Sequence, residues 1–425
     1  MSGAILVRGA RQLLTLRGPS EPRRGFALNE LGLIEDGAVL IRDGTIVSVG
    51  PSRRVENLSE ARQAEEIDAT GRVVMPGFVD SHTHLVCGPS RLTEYEMRLA
   101  GADEEEISRA GGGPLATIRA IRGTSTRRLE LEARRKIRSL VRHGTTTVEV
   151  KSGYGLDETG ELRILRAAGA LDGDPLDVIS TYLGLHLLPP EFAGRSQDYV
   201  EWVCSQMLPT IRKRGLARFA DVACDPQAFS LEQVRRYLSR AAELGFALKL
   251  HAAEGPQDDL IRLAIELGAI SADHLAGMTE QQVGMLAASG TIATLLPGAV
   301  FHQGSRRYPP ARALIEAGAA VALATGFNPG VCPTYSMPMI LALACARMRM
   351  TPAEAIAAAT INGAHALGLA GMVGSIEPGK QADLIILEVG DYREITYHFG
   401  VNLVWMVLKR GLVLYRQGEL EWIED

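Results

Sequence analysis

Apolar positions along the chain follow two rhythms. Through the middle, short continuous runs rich in β-branched residues recur, each followed by a stretch with helical spacing. Eight runs fit this pattern: 78–85 (FVDSHTHL), 145–152 (TTTVEVKS), 178–186 (VISTYLGLH), 218–224 (RFADVAC), 246–252 (FALKLHA), 269–275 (AISADHL), 291–297 (TIATLLP) and 320–326 (AVALATG). Continuous apolar strands suit a parallel sheet covered on both faces. Between them, residues 127–143 place Leu129, Ala133, Ile137, Leu140 and Val141 on one stripe, with Gly144 as the stop. Eight strands alternating with helices predict an α/β fold, a (β/α)8 TIM barrel. The competing architecture is a doubly wound open sheet.

The two ends of the chain alternate instead. "GAVLIRDGTIVSVGP" turns at Asp43-Gly44, a dipeptide suited to a tight hairpin, and "LVWMVLKRGLVLYRQGEL" turns at Arg410-Gly411. The ends of a barrel's chain lie close together. Residues 1–75 and 372–425 are therefore expected to meet as one small β-sandwich domain beside a barrel over 76–371.

Composition narrows the class. Of 425 residues, 46% are apolar and 22% charged, as in an ordinary globular enzyme, and the net charge is −5 with scattered basic residues. No concentrated basic face is present, so nucleic acid is not an expected partner. The most apolar helix-like run, "MPMILALACA", is far shorter than the roughly 20 residues of a membrane span, so no membrane partner is expected. Cys87, Cys204, Cys224, Cys332 and Cys345 are widely spaced, without a CxxC, which fits a reducing compartment. The N-terminus meets arginine too soon for a signal peptide. A cytoplasmic protein is the reading, with a homodimer as the default assembly.

Chemistry in a barrel sits where its strands end. Here the first run carries His82-x-His84, the third ends at His186, the fifth ends in His251 followed by Glu254, and the sixth ends Asp273-His274. Residues two apart on a strand share a face. His82 and His84 can therefore hold one ion, and His251 completes a three-imidazole site with an open position. The ion is expected to be one divalent metal, zinc first and iron second. A lone strand-end histidine is ordinarily a hydrogen-bonded core residue; convergence of five on one rim is what favours the metal. His143, His302, His365 and His398 keep the ordinary reading.

Taken together, "PGFVDSHTHL", "TVEVKSGYGL", "GLHLLPPEF", "KLHAAE", "SADHL", "GFNPG" and "GSIEPGKQADLIIL" resemble the amidohydrolase superfamily, in its imidazolonepropionase branch, over nearly the whole chain. The resemblance implies a hydrolase that opens a ring C–N bond of a small carboxylate-bearing cyclic amide around one metal. It implies His82, His84 and His251 as metal ligands and Arg91 and Tyr154 as grips on a substrate carboxylate. It places His186, Glu254 and His274 around the reacting group, with Asn328 and Gly330 lining the pocket. The planar fork of arginine suits a carboxylate, and Glu254, three residues past a metal ligand, is in reach as an acid/base. Plainer readings stand beside these: Arg91 as a surface ion-pair partner, Tyr154 as a plug in the rim, Glu254 as an orienter of a histidine.

The chain departs from the family pattern at the eighth strand. An aspartate is expected before Phe-Asn-Pro-Gly, as a metal ligand and proton carrier, and the residue here is Gly326. Ala253 stands where an acid is expected and Val331 where a hydroxyl is expected. Loss of a general acid/base costs about 10²–10⁴ in rate. Two alternatives follow: a ring-closing, cyclodehydrating enzyme on an aromatic amino acid derivative, of the benzoxazole-forming kind, and a non-catalytic small-molecule binding barrel.

Overall fold

The computed structural model describes residues 3–223, 228–252 and 258–418. All eight runs of the middle region form strands of one parallel sheet: Phe78–Asp80, Thr145–Lys151, Asp177–Leu185, Phe219–Val222, Ala247–His251, Ser271–His274, Ile292–Leu295 and Val321–Leu323. The sheet closes just beyond its first and eighth strands. Thr83 bridges Phe327 in parallel, the His84 amide donates to the Phe327 carbonyl at 2.8 Å, and the Gly326 amide donates to the His82 carbonyl at 3.0 Å. Asp80 fastens the same seam, accepting from the Thr325 amide at 3.0 Å and the Thr325 hydroxyl at 2.5 Å. This is a barrel, and the open doubly wound sheet is set aside.

Helices cover the strands as their spacing predicts. The helix Thr126–Arg142 buries Leu129, Ala133, Ile137, Leu140 and Val141, is capped by the Ser125 side chain, and ends where Gly144 takes φ +90°. Three short helices, Leu92–Leu99, Glu104–Arg109 and Pro114–Arg122, form an excursion between the first strand and this helix. The hydrophobic pattern did not signal them, because each is brief and half exposed.

The terminal segments build a second sheet, of eight strands among the described residues. Leu384–Leu387 pairs antiparallel with Val73–Pro76, which runs parallel to Ala4–Leu14, which pairs antiparallel with Leu33–Arg42. Both anticipated turns form. Asp43 and Gly44 adopt φ +51° and +75°, and Arg410 and Gly411 adopt +48° and +77°. The sandwich is one continuous mixed sheet that curls until Thr45, at the start of one edge strand, bridges Gln381, just ahead of Leu384–Leu387. It encloses Val39, Ile41, Leu384, Ile386, Met406 and Leu408. No helix among the described residues is long and apolar enough to cross a membrane.

Candidate metal centre and substrate pocket

The strand-end histidines converge at one mouth of the barrel. Ring centroids lie 4.8 Å apart for His82 and His251, 5.1 Å for His82 and His274, and 4.2 Å for His251 and His274. His84 stands 5.6 Å from His82 and 5.8 Å from His251, and stacks on His186 at 5.7 Å. Nitrogens of His82, His251 and His274 lie within 4.8 Å of one another. Among the described residues, buried His84 Nδ1, His251 Nδ1 and His274 Nε2 have no hydrogen-bond partner. Unsatisfied buried nitrogens are costly and uncommon. Several gathered at one mouth of the barrel fit a cation.

His82 is held for that purpose. Its Nδ1 lies 2.7 Å from Asp273 Oδ2, so Nδ1 carries the proton and Nε2 presents the lone pair. Asp273 is itself fixed: Ser271 donates to Oδ1 at 2.7 Å, and the Lys151 ammonium lies 3.4 Å from Oδ2. Burial opposes ionisation of Asp273, but Lys249, Lys151 and His82 together hold its carboxyl well below the usual range.

Sequence reasoning missed the charged floor beneath this rim. Lys151 Nζ lies 2.7 Å from Asp221 and 3.0 Å from Glu149, and Lys249 Nζ lies 3.1 Å from Glu149 and from the Ser81 carbonyl. All five side chains, Asp273 included, are fully buried. Two ammonium groups face three carboxylates, leaving the floor one negative charge in excess. The signal was present in "VEVK", "FADV", "LKLH" and "SADH": charged residues standing inside otherwise apolar strands, on the face that turns inward.

The substrate side is equally specific. Arg91 is only 9% exposed, so it is not a surface side chain. Among the described residues its Nε and Nη1 make no hydrogen bond, while Glu94 pairs with it at 3.4 Å from Nη1. The guanidinium lies across Gly330, where any Cβ would run into it. Asn328 joins this end to the histidines. Its Oδ1 accepts from the Gly330 amide at 3.0 Å, and its amide donates to Tyr154 Oη at 2.7 Å. Tyr154 packs against His186 at 4.7 Å and His84 at 5.4 Å. Burial raises the Tyr154 pKa, so the phenol stays a neutral hydrogen-bond donor. His186 is fixed by its Nδ1, 2.7 Å from the Gly153 carbonyl.

A cavity of about 750 Å³ opens over the centre, lined by His186, His251, His274, Leu296, Gln303 and Val331. Its eighth-strand side is apolar, because Leu296, Ala299, Val331 and Cys332 cluster there. Gly326 adopts φ +64°, and a Cβ on it would lie 2.5 Å from Leu296 Cδ2. Leu296 therefore fills the space an acidic side chain would take. Glu254 and Ala253 lie outside the described residues.

Burial pushes the His186 and His274 imidazoles down to about 4. The unfolded chain takes up these protons below about 6.5, while the folded metal-free protein refuses them until about 4. Stability of metal-free protein is thus expected to fall as pH drops through that window, by about 1.4 kcal/mol per unit for each group. Thermal melts of chelator-treated protein between pH 7 and pH 4 check this, and a flat profile contradicts it.

Comparison with known proteins agrees with this architecture. The amidohydrolase family model matches residues 73–413. An imidazolonepropionase from Solibacter usitatus (strain Ellin6076) is 46% identical over 418 residues, covering 98% of this chain and 100% of that protein. One from Geobacillus kaustophilus (strain HTA426) is 46% identical over 423 residues, covering 98% and 99%. The chain belongs to the amidohydrolase family, in its imidazolonepropionase branch. Solved amidohydrolase-fold structures share the architecture at low identity. A zinc-bound adenosine deaminase from Xanthomonas campestris has a TM-score of 0.67 at 21% identity, over 99% of this chain and 94% of that one. A triazine hydrolase variant reaches 0.72 at 18%, over 97% and 95%. As an amidohydrolase, the chain has its histidine cluster at the end of the barrel where this fold does its chemistry.

Proposed function

We propose that the protein opens the ring C–N bond of a five-membered cyclic amide carrying a short carboxylate arm, imidazolone propionate being the nearest named substrate. One observation carries this reading: the largely buried Arg91 guanidinium, whose Nε and Nη1 make no hydrogen bond among the described residues, is linked through Gly330, Asn328 and Tyr154 to a cluster of neutral histidines. An acid bound at one end places its ring at the other. His82, His84 and His251 would hold the metal; zinc suits this set, and iron accepts it as well. Bound there, the metal supplies a Lewis acid that polarises the ring carbonyl and acidifies water. The chain's own residues do the rest. Arg91 and Tyr154 orient the carboxylate, and His186 stands neutral beside the ring, held at Nδ1 with Nε2 facing the site. Glu254, three residues beyond His251, takes over in part the proton transfer between water and the leaving nitrogen that Gly326 cannot perform.

Incubating metal-loaded protein with imidazolone propionate and following loss of ring absorbance tests the reading. No turnover above the buffer rate overturns it. Arg91→Lys, which keeps the charge and loses the fork, is expected to raise KM about 10- to 100-fold with kcat little changed, from the roughly 1.5–3 kcal/mol of charge-assisted hydrogen bonding. An unchanged KM removes Arg91 from the carboxylate site.

Gly326 favours a second reading. Without an acid on the eighth strand and with Leu296 over the gap, a site that polarises a carbonyl but activates water poorly suits the reverse sense, ring closure with loss of water. Hydrolysis of imidazolone propionate at an ordinary enzymatic rate defeats this second reading.

A further inference from the structure

The eighth strand offers no donor to a metal. Gly326 has no side chain, and Leu296 Cδ2 occupies the space at 2.5 Å from where a Cβ would stand. The question is what completes the coordination instead. Among the described residues, His82, His251 and His274 bring candidate ligand atoms at the mouth within 4.8 Å of one another, a group that does not include His84. His274 therefore stands closer to the two expected ligands than His84 does, and its ring centroid is 4.2 Å from that of His251. A zinc ion held there would take each such nitrogen at roughly 2.0–2.1 Å.

Three features set His274 apart from a packing histidine. Its Nε2 is buried with no hydrogen-bond partner among the described residues. Its backbone is left-handed, at φ +74°, and Leu275 follows at +62°. Two successive non-glycine residues in that region cost about 1–3 kcal/mol each and collect where function demands a particular side-chain direction. Finally, carboxylates already stand behind the other imidazoles. Asp273 lies 2.7 Å from His82 Nδ1, and Asp221 lies 4.0 Å from His251 Nδ1. A centre ligated only by neutral nitrogens leaves the charge of a divalent ion unbalanced. The floor beneath the rim, with its excess negative charge, offsets part of that charge from the layer below.

We infer that His274 is a metal ligand in this protein, replacing the acid that Gly326 cannot supply and completing an all-histidine centre with His82, His84 and His251. The inference rests on the metal-dependent reading above. It also changes the division of labour: His274 gives its lone pair to the ion and is withdrawn from proton transfer.

The test uses the full-length protein with zinc and with cobalt(II), read by chelator competition and by the visible absorption of the cobalt form. His274→Ala and the polar His274→Gln are expected to weaken zinc binding by at least about 100-fold, beyond the roughly 10- to 100-fold that loss of an outer-shell partner causes. Both should also shift the cobalt bands. In the His274→Ala background, Gly326→Asp with Leu296→Ala, which clears the space, should restore affinity by returning a carboxylate. Wild-type affinity and unchanged cobalt bands in both single variants overturn the assignment while leaving a three-histidine centre standing. Failure of the wild-type protein to hold either metal removes both the assignment and the reading beneath it.

Discussion

Alanine in place of His82, His84 or His251 is expected to release the metal and, with it, ring opening. His82 Nε2 is the free lone pair of a ring whose other nitrogen is committed to Asp273 at 2.7 Å. His84 Nδ1 is buried without a hydrogen-bond partner among the described residues, and the His251 ring, backed by Asp221 at 4.0 Å from Nδ1, lies 4.8 Å from that of His82. Loss of an outer-shell partner already weakens metal binding about 10- to 100-fold, so loss of a ligand should cost at least about 100-fold. The variants also lose the stabilisation that bound metal gives, about 2.7 kcal/mol when the ion is present at 100 times its Kd. Metal content after dialysis and melting temperature with and without chelator read both effects. Stoichiometric metal retained in all three variants removes the metal centre from the account.

Gly326→Asp is expected to raise hydrolysis of imidazolone propionate by about 10²–10⁴, the usual contribution of one general acid/base. The position accepts the change in principle. Its φ of +64° lies in the region that aspartate tolerates best among side-chain-bearing residues, and the obstructing atom is the far end of a leucine that can rotate. Pairing the substitution with Leu296→Ala should add to the gain by removing the obstruction. Steady-state rates of the metal-loaded variants decide the matter. If Gly326→Asp leaves the rate unchanged while metal stays bound, proton transfer does not pass through the eighth strand, and Glu254 or another group already carries it.

How much of this was legible beforehand differs from residue to residue. The eight barrel strands were readable because strands buried on both faces must be continuously apolar, and each such run appears as a strand within a few residues of its expected place. The hairpins at Asp43-Gly44 and Arg410-Gly411 were readable because so few dipeptides accept two successive positive φ values. The His82–His84 pair was visible through its spacing of two, although the strand itself ends at Asp80 and the two imidazoles flank Thr83, which bridges Phe327 just beyond it. The excursion Leu92–Arg122 left no such trace, since short amphipathic helices lying over a barrel mouth carry too few apolar positions to show a period.

The sequence by itself determined the architecture, the family and the list of residues at the rim. It also exposed the missing acid, because a glycine where a carboxylate belongs is a fact of composition at one position. Tertiary structure decided the rest. It showed that Arg91 is largely buried with Glu94 beside it, that Leu296 closes the gap at Gly326, and that His274 approaches His251 more nearly than His84 does. It also gathered Glu149, Lys151, Asp221, Lys249 and Asp273 into one buried ion network. These are relations between residues tens to hundreds of positions apart. Local periodicity fixes which way a side chain points from its own strand, while distances across the barrel arise only when the sheet closes and every strand end meets at a common mouth.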